Sequence, residues 1–435
     1  MDRLVGILGI AAILAIAFLF SNNKRRINWR LVGTGILIQV VFGVLVLKGK
    51  SWGAPFNFLA VAFDWIGRGV VKLLAFTTEG ALFVFGDLAL SPGQSGSMGF
   101  FFVFQVLPTI IFFSSLMAVL YYLGFMQKVV QGMAWVMARL MGTSGAESLS
   151  NTANIFVGQT EAPLMIRPFI KTMTKSELLT IMVGGMATIA GGVMAAYIQM
   201  LGQSFATAKG IPLNEGQILF ATQLLGASIM AAPAGMALSK ILYPETEEPV
   251  TKGSVKIEVE KNASNVLEAA ASGASDGMQL ALNVAAMLLA FLALIAMFNA
   301  ILSGVGGLFG YDELSLQLLL GWALSPVAFL AGVPWSEAQQ VGALLGTKIV
   351  ANEFVAYSDM ARMIAENVIQ DPKSITIATF ALCGFANFSS IAIQIGGIAP
   401  MAPERRKDLA ALGLRAVLGG MLATLLTGTI AGILL

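Results

Sequence analysis

GQTEAPLMIRP, residues 158–168, interrupts a long apolar stretch. Gly158 permits a reversal of the chain. Gln159, Thr160 and Glu161 then follow in a row, and Pro163 and Pro168 close the segment. The pattern predicts the tip of a helical hairpin. Thr160 or Glu161 opens the second limb, and Pro163 falls in its first turn, where N–H groups have no helical partner. A carboxylate in that turn is favoured by the helix dipole. Ala162 and Leu164 form the packing side. The motif displays polar side chains and open backbone groups where its surroundings call for hydrocarbon.

Those surroundings extend over the whole chain. Of 435 residues, 57% are hydrophobic and 11% charged, with mean hydropathy +0.81. Soluble domains carry roughly 25% charged residues. The deficit has no boundary, so the chain reads as an all-α integral membrane protein rather than a soluble domain with one anchor. A net charge of +2 without a basic block argues against a nucleic-acid partner. Cys383 is the single cysteine, which excludes an intrachain disulfide and reads as buried and inert. There is no histidine, so His-ligated metals and His proton relays are excluded.

A helix crossing the hydrocarbon core needs about 20 apolar residues. Eight stretches qualify as expected spans: 4–20, 31–47, 99–123, 178–201, 216–242, 277–302, 375–398 and 410–434. The first lacks a small-residue cleavage site and is followed by a basic loop and a second span, so it reads as retained rather than as a signal peptide. Residues 56–85, interrupted by Asp64, Arg68, Lys72 and Glu79, read as an interfacial amphipathic helix, as do 126–141. Residues 144–170 and 336–362 are apolar but broken by polar groups. Crossing twice would need about 40 residues, and each is too short. Two re-entrant hairpins are expected, a backbone tolerated only where protein or a water-filled cavity covers it.

Lys and Arg set the orientation. With Lys24, Arg25, Arg26 and Arg30 inside, the inside segments hold Lys128, Arg139, Lys171 and Lys175, then Lys252, Lys256 and Lys261, then Arg405, Arg406 and Lys407. The outside connection 303–336 holds none, and 202–215 holds only Lys209. Both termini are then outside, and the two hairpins enter from opposite faces. A hairpin and two spans (144–242), a one-span spacer, and a hairpin and two spans (336–435) make an inverted repeat, the mark of a secondary transporter. Residues 1–143 supply scaffold spans and interfacial helices. Residues 243–335 supply a charged cytoplasmic loop, a scaffold span and the external connection.

Polar residues at lipid depth carry the chemistry. The first unit has Asn151, Asn154, Gln159, Thr160, Glu161 and Thr188; the second has Asn352, Glu353, Asn387, Ser389, Ser390 and Gln394. A carboxylate at that depth costs a few kcal/mol even on insertion scales, and Glu161 and Glu353 occupy matching places. Structural ion pairing, Glu161 with Arg167 and Glu353 with Lys348, is the plainer alternative. For Asn154, Asn387, Ser389 and Ser390 it is helix–helix hydrogen bonding. Two carboxylates and several amides suit a neutral polar molecule with vicinal hydroxyls and amide-like edges. Without an anion clamp, a phosphate or dicarboxylate is disfavoured.

The stretches NTANIFVGQTEAPLMIRPF, GGMATIAGGVMAAY, LGTKIVANEFVAYSDM and CGFANFSSIAIQIGG resemble those of the concentrative nucleoside transporters, in their eight-span bacterial form, over nearly the whole chain. The resemblance implies a homotrimer in the bacterial inner membrane, with a scaffold and a mobile transport domain moving substrate by an elevator-like shift. It implies nucleobase contacts at Gln159, Thr160, Glu161 and Val193. It implies ribose contacts at Glu353, Asn387 and Ser390, with Phe385 beside sugar and base. Sodium, the implied coupling ion, would lie at Asn154, Val157, Thr188 and Ile189, where oxygen ligands suit a hard cation. Proton coupling through Glu161 or Glu353 is the alternative.

Two other classes are weighed against a symporter. A channel or facilitator needs a continuous pore, which paired hairpins block. An intramembrane enzyme needs a nucleophile with a base, or metal ligands, and no such constellation is present.

Overall fold

The computed structural model describes residues 2–49, 57–92, 94–253 and 263–435. Phe56, Lys256 and Lys261, invoked above, lie outside the described residues. Among the described residues there is no strand, only an isolated bridge between Ser144 and Lys252.

The helices follow in order. The scaffold half begins with α1 (Asp2–Leu19), α2 (Trp29–Gly43) and α3 (Phe58–Phe85). Next come α4 (Phe102–Gln105), α5 (Leu107–Tyr122) and α6 (Phe125–Met141). The first hairpin has α7 (Gly145–Ala153) as one limb; the other is a 3-10 turn, Ala162–Ile166, running into α8 (Arg167–Ile170). Then come α9 (Lys175–Ala187), α10 (Gly191–Lys209), α11 (Leu213–Leu242) and α12 (Val266–Gly307). The second half has α13 (Leu316–Leu330), α14 (Trp335–Val350), α15 (Glu353–Ala365), α16 (Pro372–Leu382), α17 (Phe388–Ile398) and α18 (Arg406–Leu434).

Seven helical stretches among the described residues are long and apolar enough to cross a membrane. Six are expected spans, and the seventh is α3 with its extension to Ala89. The expectation for 56–85 is therefore corrected in one respect: it is a single 28-residue helix of span-like composition. Its buried residues, Ala60, Phe63, Gly67, Leu74, Thr77 and Ala81, form one stripe at helical spacing. Helix α6 likewise buries only Met126, Val130, Ala134, Met137 and Met141.

Three further expectations shift. Residues 375–398 form two 11-residue helices, α16 and α17, rather than one span. The connection 303–336 contains α13, an apolar helix that packs along α14 and meets it at 116°. Helix α12 runs for 42 residues, about 63 Å at 1.5 Å per residue. That is twice the hydrocarbon thickness of about 30 Å, so its N-terminal turns, 266–276, lie before the expected span at 277–302 and directly follow the charged loop 244–265.

The order hairpin, broken span, straight span occurs twice: α7/α8, α9–α10, α11, and α14/α15, α16–α17, α18. Packing repeats it. Helix α9 packs on α18 of the other unit, and α16 packs in turn on α11. These helices form the centre. Of the best apolar window in each stretch, 89% is buried for α9–α10, 72% for α11 and 78% for α18, against 17% for α3 and α12.

Candidate functional site

The first hairpin is held at its base by local capping. Ser144 and Glu147 make a capping box on α7, and Thr174 and Glu177 make one on α9. The boxes are joined, because Ser144 Oγ donates to Glu177 Oε1 at 2.6 Å. Lys240 of α11 pairs with Glu147 at 2.8 Å and with Glu245 at 3.4 Å, which neutralises carboxylates otherwise buried at a cost. The second limb is not a regular helix. Pro163 and Pro168 each remove an N–H, and the chain there is 3-10 with one α turn. Gly158 has no left-handed φ. A Cβ there would meet only the Glu161 carboxyl group, the end of a flexible and exposed side chain that can turn aside, so neither φ nor space demands glycine at this position.

The tip of this hairpin meets the break between α9 and α10. Helix α9 ends at Thr188, in extended conformation, and Gly191 N donates to Phe156 O at 3.0 Å. Asn154, Thr188 and Ile189 are buried beside Val157, which is half-buried. Thr188 Oγ1 donates to Gly184 O at 2.9 Å. Both side-chain polar atoms of Asn154 are buried without a protein partner. A buried amide of this kind is satisfied by water or by a ligand. The four expected sodium residues are thus at one junction, and its oxygens suit a hard cation.

The second junction is polar and continuous. Glu353 opens α15 and is buried. Its Oε1 accepts from Tyr197 Oη at 3.2 Å, and its Oε2 accepts from Asn387 Nδ2 at 3.0 Å. Asn387 is the N-cap of α17: Oδ1 accepts from Ser390 N at 2.9 Å and from Ser389 Oγ at 2.7 Å. Ser390 Oγ accepts from Gln159 Nε2 at 3.2 Å, and Gln159 Oε1 accepts from Gln394 Nε2 at 3.0 Å. Gln394 Nε2 also donates to Met182 O at 2.9 Å. One hydrogen-bonded chain therefore links Gln159 of the first hairpin and Glu353 of the second with α9, α10 and α17.

Close backbone approach makes this possible. Gly384, between α16 and α17, has φ +122°. A Cβ there would lie 2.6–2.7 Å from the backbone of Met186 and Ala187, the end of α9. The two broken spans cross at that glycine.

The other expected residues take peripheral places. Val193 is buried on α10 and Phe385 is half-buried in the second break. Thr160 sits over Gly397 of α17, where a Cβ would come within 3.0 Å of its own Cβ. Glu161 is exposed. Among the described residues no ion pair joins Glu161 to Arg167 or Glu353 to Lys348. Lys348 instead donates to Ala381 O at 2.9 Å and to Thr424 Oγ1 at 3.0 Å, satisfying a terminal carbonyl of α16. Two members of the network were not assigned a role above. Tyr197 ends the stretch GGMATIAGGVMAAY, and a phenol in an apolar span must place its hydroxyl. Gln394 was noted only for its polarity.

The profile described as "Na+ dependent nucleoside transporter N-terminus" matches residues 8–88, that described as "Nucleoside recognition" matches 103–204, and "Na+ dependent nucleoside transporter C-terminus" matches 223–432. The uncharacterized transporter YutK of Bacillus subtilis (strain 168) is 48% identical over 433 residues, 99% of each chain. Sodium/nucleoside cotransporter 1 of Mus musculus is 41% identical over 446 residues, 100% of this chain and 64% of that one. The structure of CNTnw in an inward-facing substrate-bound state aligns with TM-score 0.87 at 45% identity, over 100% of this chain and 98% of that chain.

Proposed function

The chain belongs to the family of Na+-dependent concentrative nucleoside transporters, and on that premise we propose that it takes up uridine-like nucleosides with sodium through an elevator-type shift of a central transport domain. One observation carries the reading: the unbroken hydrogen-bonded chain from Tyr197 and Glu353 through Asn387 and Ser390 to Gln159 and Gln394. It offers a carboxylate and an amide donor at one end, suited to a ribose diol, and an amide at the other, suited to a base edge. Glu353, Asn387 and Ser390 would hold the ribose beside Phe385. Gln159, Thr160, Glu161 and Val193 would hold the base.

The unpartnered Asn154 amide, beside the Thr188 hydroxyl and the turn at Val157 and Ile189, supports the sodium site. Residues 144–242 and 336–435 are assigned to the moving domain because α9–α10, α11 and α18 form the buried centre. Residues 1–143 and 243–335 form the scaffold. The exposed apolar faces of α3 and α12 suit lipid and partner copies in a homotrimer. The hairpins enter the bilayer from opposite sides of a bacterial inner membrane, and both termini lie outside.

The test is uptake of radiolabelled uridine into proteoliposomes at fixed pH, with an inward sodium gradient or with choline replacing sodium. Accumulation above equilibrium only with sodium is expected. Equal uptake in choline would overturn the coupling, and no uptake under sodium or proton gradients would overturn the substrate.

A further inference from the structure

Two side-chain amides in the network have their orientation set by a backbone group. Gln394 Nε2 donates to Met182 O at 2.9 Å. A carbonyl only accepts, so this amide cannot turn over without setting oxygen against oxygen. Its second N–H donates to Gln159 Oε1 at 3.0 Å. Gln159 is thereby fixed with Nε2 toward Ser390 Oγ, at 3.2 Å. Gln394 is fully buried, and Gln159 is 7% exposed. Gly185 of α9 brings them together: a Cβ there would lie 2.8 Å from both Gln159 Cβ and Gln394 Nε2.

Gln159 alone would not discriminate between bases. The Ser390 hydroxyl can donate as well as accept, so a free Gln159 amide could present either polarity. With Gln394 in place, Gln159 Oε1 is turned toward Gln394, and one Nε2 hydrogen remains beyond the bond to Ser390. We propose that Gln394 is a specificity-determining positioning residue. By locking Gln159 as a donor, it selects nucleosides whose base presents a keto oxygen over those that present an amino group at the same edge. The proposal rests on Gln159 being a base contact. An amino group would set donor against donor, a mismatch that costs more than a missing bond.

Purified protein in saturating sodium is assayed by competition binding with two matched pairs, uridine against cytidine and inosine against adenosine. The native chain should prefer the keto member of each pair by about tenfold, the worth of one net hydrogen bond. Gln394→Met has similar volume and no donor, and should bring both ratios to within about threefold. Gln394→Asn folds with an amide but is one methylene short of bridging Met182 and Gln159, and should compress the ratios as well. In a Gln159→Ala background, Gln394→Met should change nothing further. Unchanged ratios in both Gln394 variants would overturn the proposal. So would a native preference for the amino members, or an equal shift in the Gln159→Ala background. If Gln159→Ala leaves all four affinities intact, Gln159 is not a base contact and the parent reading falls with the proposal.

Discussion

Replacing Asn387 with alanine removes three hydrogen bonds of two kinds. The cap bond to Ser390 N at 2.9 Å and the bond from Ser389 Oγ at 2.7 Å hold the start of α17. Loss of such a cap costs about 1 kcal/mol of stability. The bond from Asn387 Nδ2 to Glu353 Oε2 at 3.0 Å orients the carboxylate. A hydrogen bond to a charged group is worth about 2 kcal/mol, and here its loss falls on the ribose subsite. That corresponds to roughly 30-fold in nucleoside affinity. Asn387→Ser separates the effects, because serine caps about as well as asparagine but has no amide to offer Glu353. Equilibrium binding of labelled uridine and thermal unfolding are measured on both purified variants. Binding should fall about 30-fold in each, while the unfolding midpoint drops further in Asn387→Ala, which loses the cap as well. If Asn387→Ser binds uridine like the native chain, Glu353 is not positioned through Asn387 and the argument fails.

Glu353→Gln should abolish uptake while the protein still folds and elutes normally on size exclusion, since the new amide can accept from Asn387 Nδ2 and donate to Tyr197 Oη but leaves no charged acceptor for a ribose diol; normal uptake would refute this. Thr188→Val should raise the sodium concentration needed for half-maximal uptake several-fold with little change in nucleoside affinity at saturating sodium, and an unchanged sodium response would count against the ion site. Gly384→Ala combines a φ of +122° with a Cβ 2.6–2.7 Å from the backbone of α9, and should cost about 2 kcal/mol or more. A native unfolding midpoint for that variant would show that the two breaks do not need this close crossing.

The helix breaks within 144–170 and 336–362 were legible because length and polarity are local properties. Segments of about 27 residues cannot cross twice, and prolines or Asx caps mark where helices start. Thus Asn352 and Asn387 stand at the first turns of α15 and α17, and Pro163 stands in the 3-10 turn. The number of spans was less legible. Helix α3 has span-like composition and one buried stripe, and window hydropathy does not resolve which side faces protein. The partner of Lys348 was also hidden: proximity in sequence pointed to Glu353, whereas the orphan carbonyl at the end of α16 takes the ammonium.

The amino-acid sequence by itself determined the membrane class, the places where helices break and the polar residue types gathered there. Each follows from transfer of a side chain or an unpaired backbone group out of water, which is settled within a turn or two of chain. Only the tertiary structure decided that Gln159 meets residues 231 and 235 positions away, that Tyr197 Oη donates to Glu353, and that Gly384 lets two broken spans cross. Hydrogen-bond direction depends on which donor and acceptor are brought within about 3 Å, and that is set by how distant helices pack.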